Sequence, residues 1–178
     1  MKLLDLQIFR HRDYFLLIEE WKPHAIGFSL NYLANIPELV DLAKHTKAQT
    51  PDCFIFVGGH SALFTAREIL AHAAIACVVR GEGETVTPRL PECASDPEKL
   101  RTLPGIVAPN GEGPAPRLVP DLRAIHPARD LAARCRKYFI GVLDPCDRSN
   151  SRAAVPGIAR FLVRGLFTDA IIESWIPK

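Results

Sequence analysis

The sequence predicts an α/β fold, a three-layer sandwich built on a mostly parallel sheet. Short apolar runs alternate with stretches of helical periodicity through the first eighty residues. The run 53–57 is continuously apolar, and the runs are rich in β-branched or aromatic residues, which is typical of strands covered on both faces. Gly58-Gly59 and Gly81 follow two of these runs, as expected where a buried strand turns towards the next element. The right-handed crossover rule then gives a Rossmann-like or flavodoxin-like arrangement.

Proline and asparagine mark the ends of the predicted helices. Pro23 and Pro51 stop the helical patterns that precede them. Asn35 offers an N-cap to the second helix, and Pro37 fits its first turn, where a missing N–H costs nothing. The predicted strands are 2–9, 25–30, 53–57 and 75–79. The predicted helices are 12–22, the segment from Asn35 to Pro51, and 61–70 with Leu63, Ala66, Ile69 and Leu70 on one face.

Regular structure weakens after Glu84. Nine prolines between residues 88 and 127 interrupt the chain, and only 105–107 resembles a further strand. We therefore predict a ligand-binding domain over 1–91, an edge strand with a long wrapping linker over 92–147, and a separate tail over 148–178.

Composition excludes several classes of protein. The chain has 178 residues, of which 48% are hydrophobic and 24% charged, as in an ordinary globular domain. No apolar run reaches the roughly 18 residues of a membrane-spanning helix, and the first residues lack a signal-peptide cleavage pattern. The net charge of +2 does not indicate a nucleic-acid partner. Five cysteines without zinc-like spacing are interpreted as reduced thiols in a cytoplasmic protein, with Cys53 and Cys77 in the core.

Candidate ligand-binding residues follow three of the predicted strands. Since open α/β sheets bind ligands beyond the carboxyl ends of their strands, we expect these residues at one edge. Glycine lets the backbone approach a large flat ligand, and polar groups can hydrogen-bond its rim. Taken singly, each loop could also be a tight turn, a polar strand end or a flexible acidic loop. The candidates are Ser29, Leu30, Asn31 and Tyr32, then Gly58, Gly59 and His60, and finally Gly81, Glu82, Gly83 and Glu84.

Motifs for other chemistry are not found in the sequence. The glycine loops form neither a GxGxxG dinucleotide fingerprint nor a phosphate-binding P-loop. The six histidines are scattered, with no Ser/His/Asp or His/His/carboxylate spacing. We therefore assign no catalytic residue and no protein ligand to a metal.

The three loops, at residues 27–32, 57–60 and 79–84, together resemble the cobalamin-binding domain of cobalamin-dependent radical SAM enzymes. Residues 103–106 and 127–131 look like the linker that follows that domain. Residues 136–146 look like the beginning of the radical SAM barrel in the hopanoid methylase branch. The resemblance covers about residues 2–147 and implies that the flat ligand is a corrinoid.

The resemblance implies that methylcobalamin lies on the strand ends. It places Ser29, Asn31 and Tyr32 against the corrin edge, the Gly58 loop beside the nucleotide tail and the Gly81 loop beside the corrin amides. The DxHxxG motif is absent, which implies a cobalt without a protein histidine beneath it. In the full-length family, an iron–sulfur cluster and S-adenosylmethionine generate the radical that activates the carbon to be methylated. In the hopanoid branch that carbon belongs to a pentacyclic lipid.

Two departures from the family pattern concern the ends of the chain. Relatives carry an earlier strand and helix, which would precede Met1, so we expect the domain to lack its first strand. The cluster motif CxxxCxxC should follow Cys146, but residues 147–178 contain no cysteine. Codons for 148–178 can be chosen so that a shifted frame spells the family-like sequence Ser-Ile-Glu-Phe-Ser-Arg-Gly-Cys-Pro-Trp-Asp-Cys. We therefore interpret 148–178 as a frameshifted tail, a hypothesis that the gene's DNA tests.

The leading functional prediction is the cobalamin-binding module of a radical SAM methyltransferase. Because it lacks the cluster thiolates, we expect no methylation by this chain alone. Two alternatives stay open. The chain could be a stand-alone cobalamin carrier that acts with a separate radical SAM subunit, or a flavodoxin-like domain that binds another cofactor such as flavin.

Overall fold

The computed structural model describes residues 2–6, 9–121 and 169–173. The strands are β1 Lys2–Asp5, β2 Ala25–Ser29, β3 Phe54–Gly58, β4 Cys77–Val79, β5 Ile106–Ala108, β6 Gly111–Glu112 and β7 Asp169–Glu173. The helices are α1 His11–Trp21, α2 Ile36–Gln49, α3 Ala62–Leu70, α4 Leu90–Cys93 and α5 Pro97–Thr102. Short 3₁₀ turns at Leu33–Asn35 and Thr87–Arg89 lead into α2 and α4.

The described strands form one seven-stranded sheet in the order β1-β7-β2-β3-β4-β5-β6. The central strands β2, β3 and β4 pair in parallel, whereas β7 and β5 run against their neighbours. Five of these seven strands therefore point the same way. The predicted α/β sandwich with a mostly parallel open sheet is confirmed, with antiparallel strands flanking the parallel core.

Strand β7 separates β1 from β2 and pairs antiparallel with both. Its register places Asp169 between Asp5 and Ser29. It therefore supplies backbone partners to two strand edges that would otherwise be open. Apart from β7, the predicted tail lies outside the described residues, as does the linker over 122–147. The interpretation of 148–178 as a frameshifted tail stays a prediction.

One face of the sheet is covered by α1, α2 and α3. Because β2, β3 and β4 follow one another across the sheet, right-handed crossovers place α2 and α3 on the same side. Tyr14 and Ile18 of α1, Leu39 of α2 and Ile69 of α3 are completely buried in one apolar core. The crossover helices therefore support this face of the sheet.

The buried side of α3 differs from the predicted one. Leu63 is 41% exposed, whereas Ala62, Ala66 and Ile69 face the core. The prediction favoured Leu63 because it is larger and apolar. Alanine at the first buried position instead lets the start of α3 lie close to the sheet, next to the end of β3.

The second face is covered by residues that follow β4. Val86, Leu90, Leu100 and Leu103 pack with Phe56 in a separate apolar core. The segment predicted as an edge strand and linker therefore contains α4, α5 and the β5–β6 hairpin within its described part. These helices were missed because they are only 4 and 6 residues long and contain proline in their first turns. The third layer of the sandwich thus comes from residues on both sides of the predicted boundary at residue 91.

Close contact between Gly27 and the Phe56 ring fixes the inner surface of this second face. A Cβ added to Gly27 would lie 2.4 Å from Cζ of Phe56, well inside contact distance. We expect Gly27→Ala to lower the free energy of unfolding by about 1–3 kcal/mol, since the buried ring must move. Urea denaturation measures this change. The double variant Gly27→Ala/Phe56→Leu should recover part of the loss, and an unchanged midpoint in Gly27→Ala would contradict the contact.

Two buried cysteines confirm the predicted packing role. Cys53 and Cys77 are free thiols without exposed surface, and burial raises their pKa values to about 11 and about 12. Burial favours the neutral thiol in the folded state. The stabilisation of the folded protein that results is complete below about pH 9, and it is lost as the pH rises towards the raised pKa values of about 11 and about 12. We expect iodoacetamide at pH 8 to label both residues slowly in folded protein and rapidly in urea, as peptide mass spectrometry would show. Equal rates in the two states would contradict their burial.

Candidate cofactor site

Three loops meet at the carboxyl edge of the parallel strands. The first loop, 29–32, follows β2; the second, 58–60, follows β3; and the third, 81–84, follows β4. The Leu30 N–H donates to the Gly58 carbonyl at 2.7 Å, and the Ser61 N–H donates to the Leu30 carbonyl at 3.0 Å. The Ser61 hydroxyl also donates to the Asn31 carbonyl at 2.7 Å. These bonds join the first and second loops into one unit.

Gly59 is required by the backbone of the second loop. Its φ of +101° lies in the region that side chains rarely adopt. A Cβ there would lie 2.6 Å from the Leu30 carbonyl oxygen and 2.7 Å from the Leu30 nitrogen. The two loops can therefore approach each other this closely only with glycine at residue 59.

The third loop turns back over the end of β4. Gly81 has a φ of +81°. The N–H groups of Val86 and Thr87 donate to the Gly83 carbonyl at 3.1 and 2.8 Å. A Cβ on Gly83 would lie 3.1 Å from the Thr87 hydroxyl oxygen, so glycine lets this turn close tightly. The result is a tight loop in which Gly81 and Gly83 present backbone, between the side chains of Glu82 and Glu84.

A cleft of about 100 Å³ lies among the three loops, on the Phe56 side of the sheet. Half of its lining residues are glycines, and most of the exposed lining is apolar. The lining is Gly27, Phe28, Ser29, Phe56, Gly58, Gly59, Val79, Gly81, Gly83 and Thr87. Such a surface lets a flat ligand contact the backbone directly. Only a small group of that ligand would fit inside the cleft.

Five of the eleven predicted site residues line this cleft: Ser29, Gly58, Gly59, Gly81 and Gly83. Two further candidates, Leu30 and Asn31, are buried and support the first loop from within. The Leu30 side chain is completely buried in the core beneath the crossover helices, so only its backbone reaches the edge. The Asn31 amide donates to the Ser29 hydroxyl at 3.4 Å.

Tyr32 and His60 are exposed and do not line the cleft. The His60 ring meets the Phe64 ring edge-on, with centroids 5.9 Å apart. Phe64 is 74% exposed, and Tyr32 is 36% exposed. Aromatic surface is therefore available beside the glycine loops, where it could cover part of a ligand that extends beyond the cleft.

The two glutamates of the third loop have different surroundings. The Glu82 carboxylate accepts a hydrogen bond from the Val119 backbone N–H. The Oε2 atom of Glu84 is buried and has no hydrogen-bond partner within the described ranges. Such a buried acceptor is unfavourable without a donor, but Glu84 is not among the residues that line the cleft.

Five cleft residues were not among the predicted candidates: Gly27, Phe28, Phe56, Val79 and Thr87. Four of them belong to the strands, where apolar side chains and a lone glycine give the same pattern as core packing. Thr87 lies in a stretch that looked irregular because of its prolines. Of these five residues, Gly27 carried a sequence signal for the cleft, because a glycine inside a strand indicates a close approach of another group.

Cobalamin fits this arrangement of residues. Its flat corrin ring would rest on backbone at Gly58, Gly59 and Gly81, and the Ser29 hydroxyl in the lining suits the amide groups of the corrin rim. Among the cleft glycines, Gly58 is the one where an added Cβ would have room, with no neighbour closer than 3.9 Å.

The fold and site together define an α/β domain that presents a glycine-lined cleft at the carboxyl edge of its parallel strands. The family described as "B12 binding domain" matches residues 2–90, and the chain belongs to this family. The resemblance of the three loops to cobalamin-binding domains is thereby confirmed.

A relative gives the second comparison. The chain is 47% identical over 148 residues to a protein of Methylococcus capsulatus named "Hopanoid C-3 methylase". The aligned region makes up 82% of this chain and 29% of that relative. The chain therefore spans less than a third of the length of the methylase it matches. No helix within the described ranges combines the length and hydrophobicity that crossing a bilayer requires.

Proposed function

We propose that this chain is the cobalamin-binding module of a radical SAM methyltransferase. The observation that carries the proposal is the glycine-lined cleft at the strand ends, in a chain that belongs to the B12-binding family. The identity to a hopanoid methylase supports the methyltransferase part of the proposal.

The loop residues divide the binding between backbone and side chains. Gly58, Gly59 and Gly81 give the ring direct access to backbone, and the Ser29 hydroxyl provides a hydrogen-bonding group for its rim. Asn31 orients the Ser29 hydroxyl. Bound methylcobalamin would supply a methyl group attached to cobalt.

Methylation requires further parts that this module does not provide. A radical source, with its iron–sulfur cluster and S-adenosylmethionine, would come from a radical SAM domain or subunit. We therefore expect the chain alone to bind cobalamin without catalysing methyl transfer. The cytoplasmic location of the protein stays a prediction. A carrier that works with a separate radical SAM subunit is the second candidate, because the described residues build an apolar core on each face of the sheet.

Retention of a coloured cofactor tests the proposal. Purified protein is mixed with excess hydroxocobalamin, passed over a desalting column and examined by absorbance. The proposal predicts a red protein fraction with corrinoid bands in a ratio that approaches one per chain. A folded protein that elutes colourless would contradict it, and a yellow flavin spectrum on purification would favour the flavodoxin-like alternative.

A further inference from the structure

The chain beyond β6 folds back against the third loop. We call residues 113–121 the strap. The Gly113 N–H donates to the Ile106 carbonyl at 2.8 Å, and the Gly105 N–H donates to the Pro114 carbonyl at 2.8 Å. A Cβ on Gly81 would lie 2.7 Å from Cβ of Pro116, so the strap touches the backbone of the third loop. Gly81 thus borders both the strap and the cleft.

One hydrogen bond joins the far end of the strap to the loop. The Glu82 carboxylate accepts from the Val119 backbone N–H, which is partly buried. Arg117 and Leu118, just before it, are exposed, and Leu118 is 78% exposed. The strap therefore lies on the surface and is held at Gly81 by packing and at Glu82 by a bond to a charged acceptor. Such bonds are among the stronger ones in proteins.

We infer that Glu82 is a positioning residue, which fixes the third loop by holding the strap through Val119. This inference rests on the proposed function, since the loop is the one proposed to meet the corrin amides. It gives Glu82 a role different from the direct ligand contact that the sequence predicts. It also couples cofactor retention to the segment that leads out of the domain.

A double-mutant cycle separates the two roles of Glu82. Glu82→Ala removes the acceptor, and Val119→Pro removes the N–H donor while leaving the carboxylate in place. If Glu82 acts through Val119, each variant lowers hydroxocobalamin affinity by about tenfold, and the double variant is no weaker than either single one. Glu82→Gln, which keeps an acceptor oxygen, should recover most of the affinity. Leu118→Pro serves as the matched control, because residue 118 is exposed and lies outside the bond.

Trypsin provides a readout that does not depend on the ligand. Arg117 is exposed and is followed by leucine, so the strap carries a cleavage site two residues from Val119. Without cobalamin, we expect cleavage after Arg117 to be about tenfold faster in Glu82→Ala and Val119→Pro than in the wild type and Glu82→Gln. Urea midpoints that agree within error would show that the domain itself stays folded.

The two claims fail in different ways. Wild-type protein that binds no hydroxocobalamin would overturn the proposed function, while the rate of cleavage after Arg117 would still test the strap. Wild-type cleavage rates in both Glu82→Ala and Val119→Pro would overturn the positioning role. So would a Val119→Pro variant that binds hydroxocobalamin like the wild type while Glu82→Ala loses it, because Glu82 would then act on the ligand directly.

Discussion

Replacing Gly59 by alanine is expected to destabilise the fold by about 3 kcal/mol. Two effects act together at this residue. The φ of +101° is strained for any side chain, and the new Cβ would lie 2.6 Å from the Leu30 carbonyl oxygen. The Leu30 backbone cannot move away easily, because its N–H donates to the Gly58 carbonyl and its carbonyl accepts from the Ser61 N–H.

Urea denaturation followed by circular dichroism measures this loss, with Gly58→Ala as the matched control. A Cβ on Gly58 would come no closer than 3.9 Å to Val79, so the control should unfold near the wild-type midpoint. Equal midpoints for Gly59→Ala and Gly58→Ala would show that the junction of the first and second loops is not built as described.

Replacing Gly58 by valine is expected to abolish most cobalamin retention without a loss of stability. Gly58 ends β3 and lines the cleft on the same side of the strand as Phe56, two residues earlier. Valine is well suited to a strand, and its Cβ has room at this position. Its methyl groups would occupy a cleft of only about 100 Å³, so we expect the affinity for hydroxocobalamin to fall at least tenfold.

A graded series makes this prediction sharp. Affinity should decrease from glycine through alanine to valine at residue 58, while urea midpoints stay together. Leu63→Val is a suitable surface control, because Leu63 is 41% exposed and lies outside the cleft. Equal affinity of Gly58→Val and the wild type, with both proteins folded, would remove the cleft from the binding site.

The sequence predicts the parallel core well because its signals are local. Apolar runs of strand length identify β2, β3 and β4, and Pro23 and Pro51 mark the ends of α1 and α2. Topology then fixes the position of the three loops, since parallel strands end at a common edge. Five predicted residues consequently meet in the cleft, although each loop taken singly could have been an ordinary turn.

The remaining features depend on contacts between distant residues. Phe56 and Gly27 have the sequence pattern of core residues. The structure shows that the Phe56 ring packs against Gly27 and that both residues line the cleft. Helices α4 and α5 are too short for a periodic pattern. The bond between Glu82 and Val119 spans 37 residues of sequence, and nothing at either residue indicates its partner.

Hydrogen exchange with and without hydroxocobalamin shows both whether the vitamin binds and where it binds. We expect the vitamin to slow exchange in peptides covering residues 29–32, 58–60 and 81–84, and to leave exchange on the exposed surface of α1 unchanged. Exchange that is identical in all three loops when excess vitamin is present, or protection confined to other parts of the chain, would contradict this expectation.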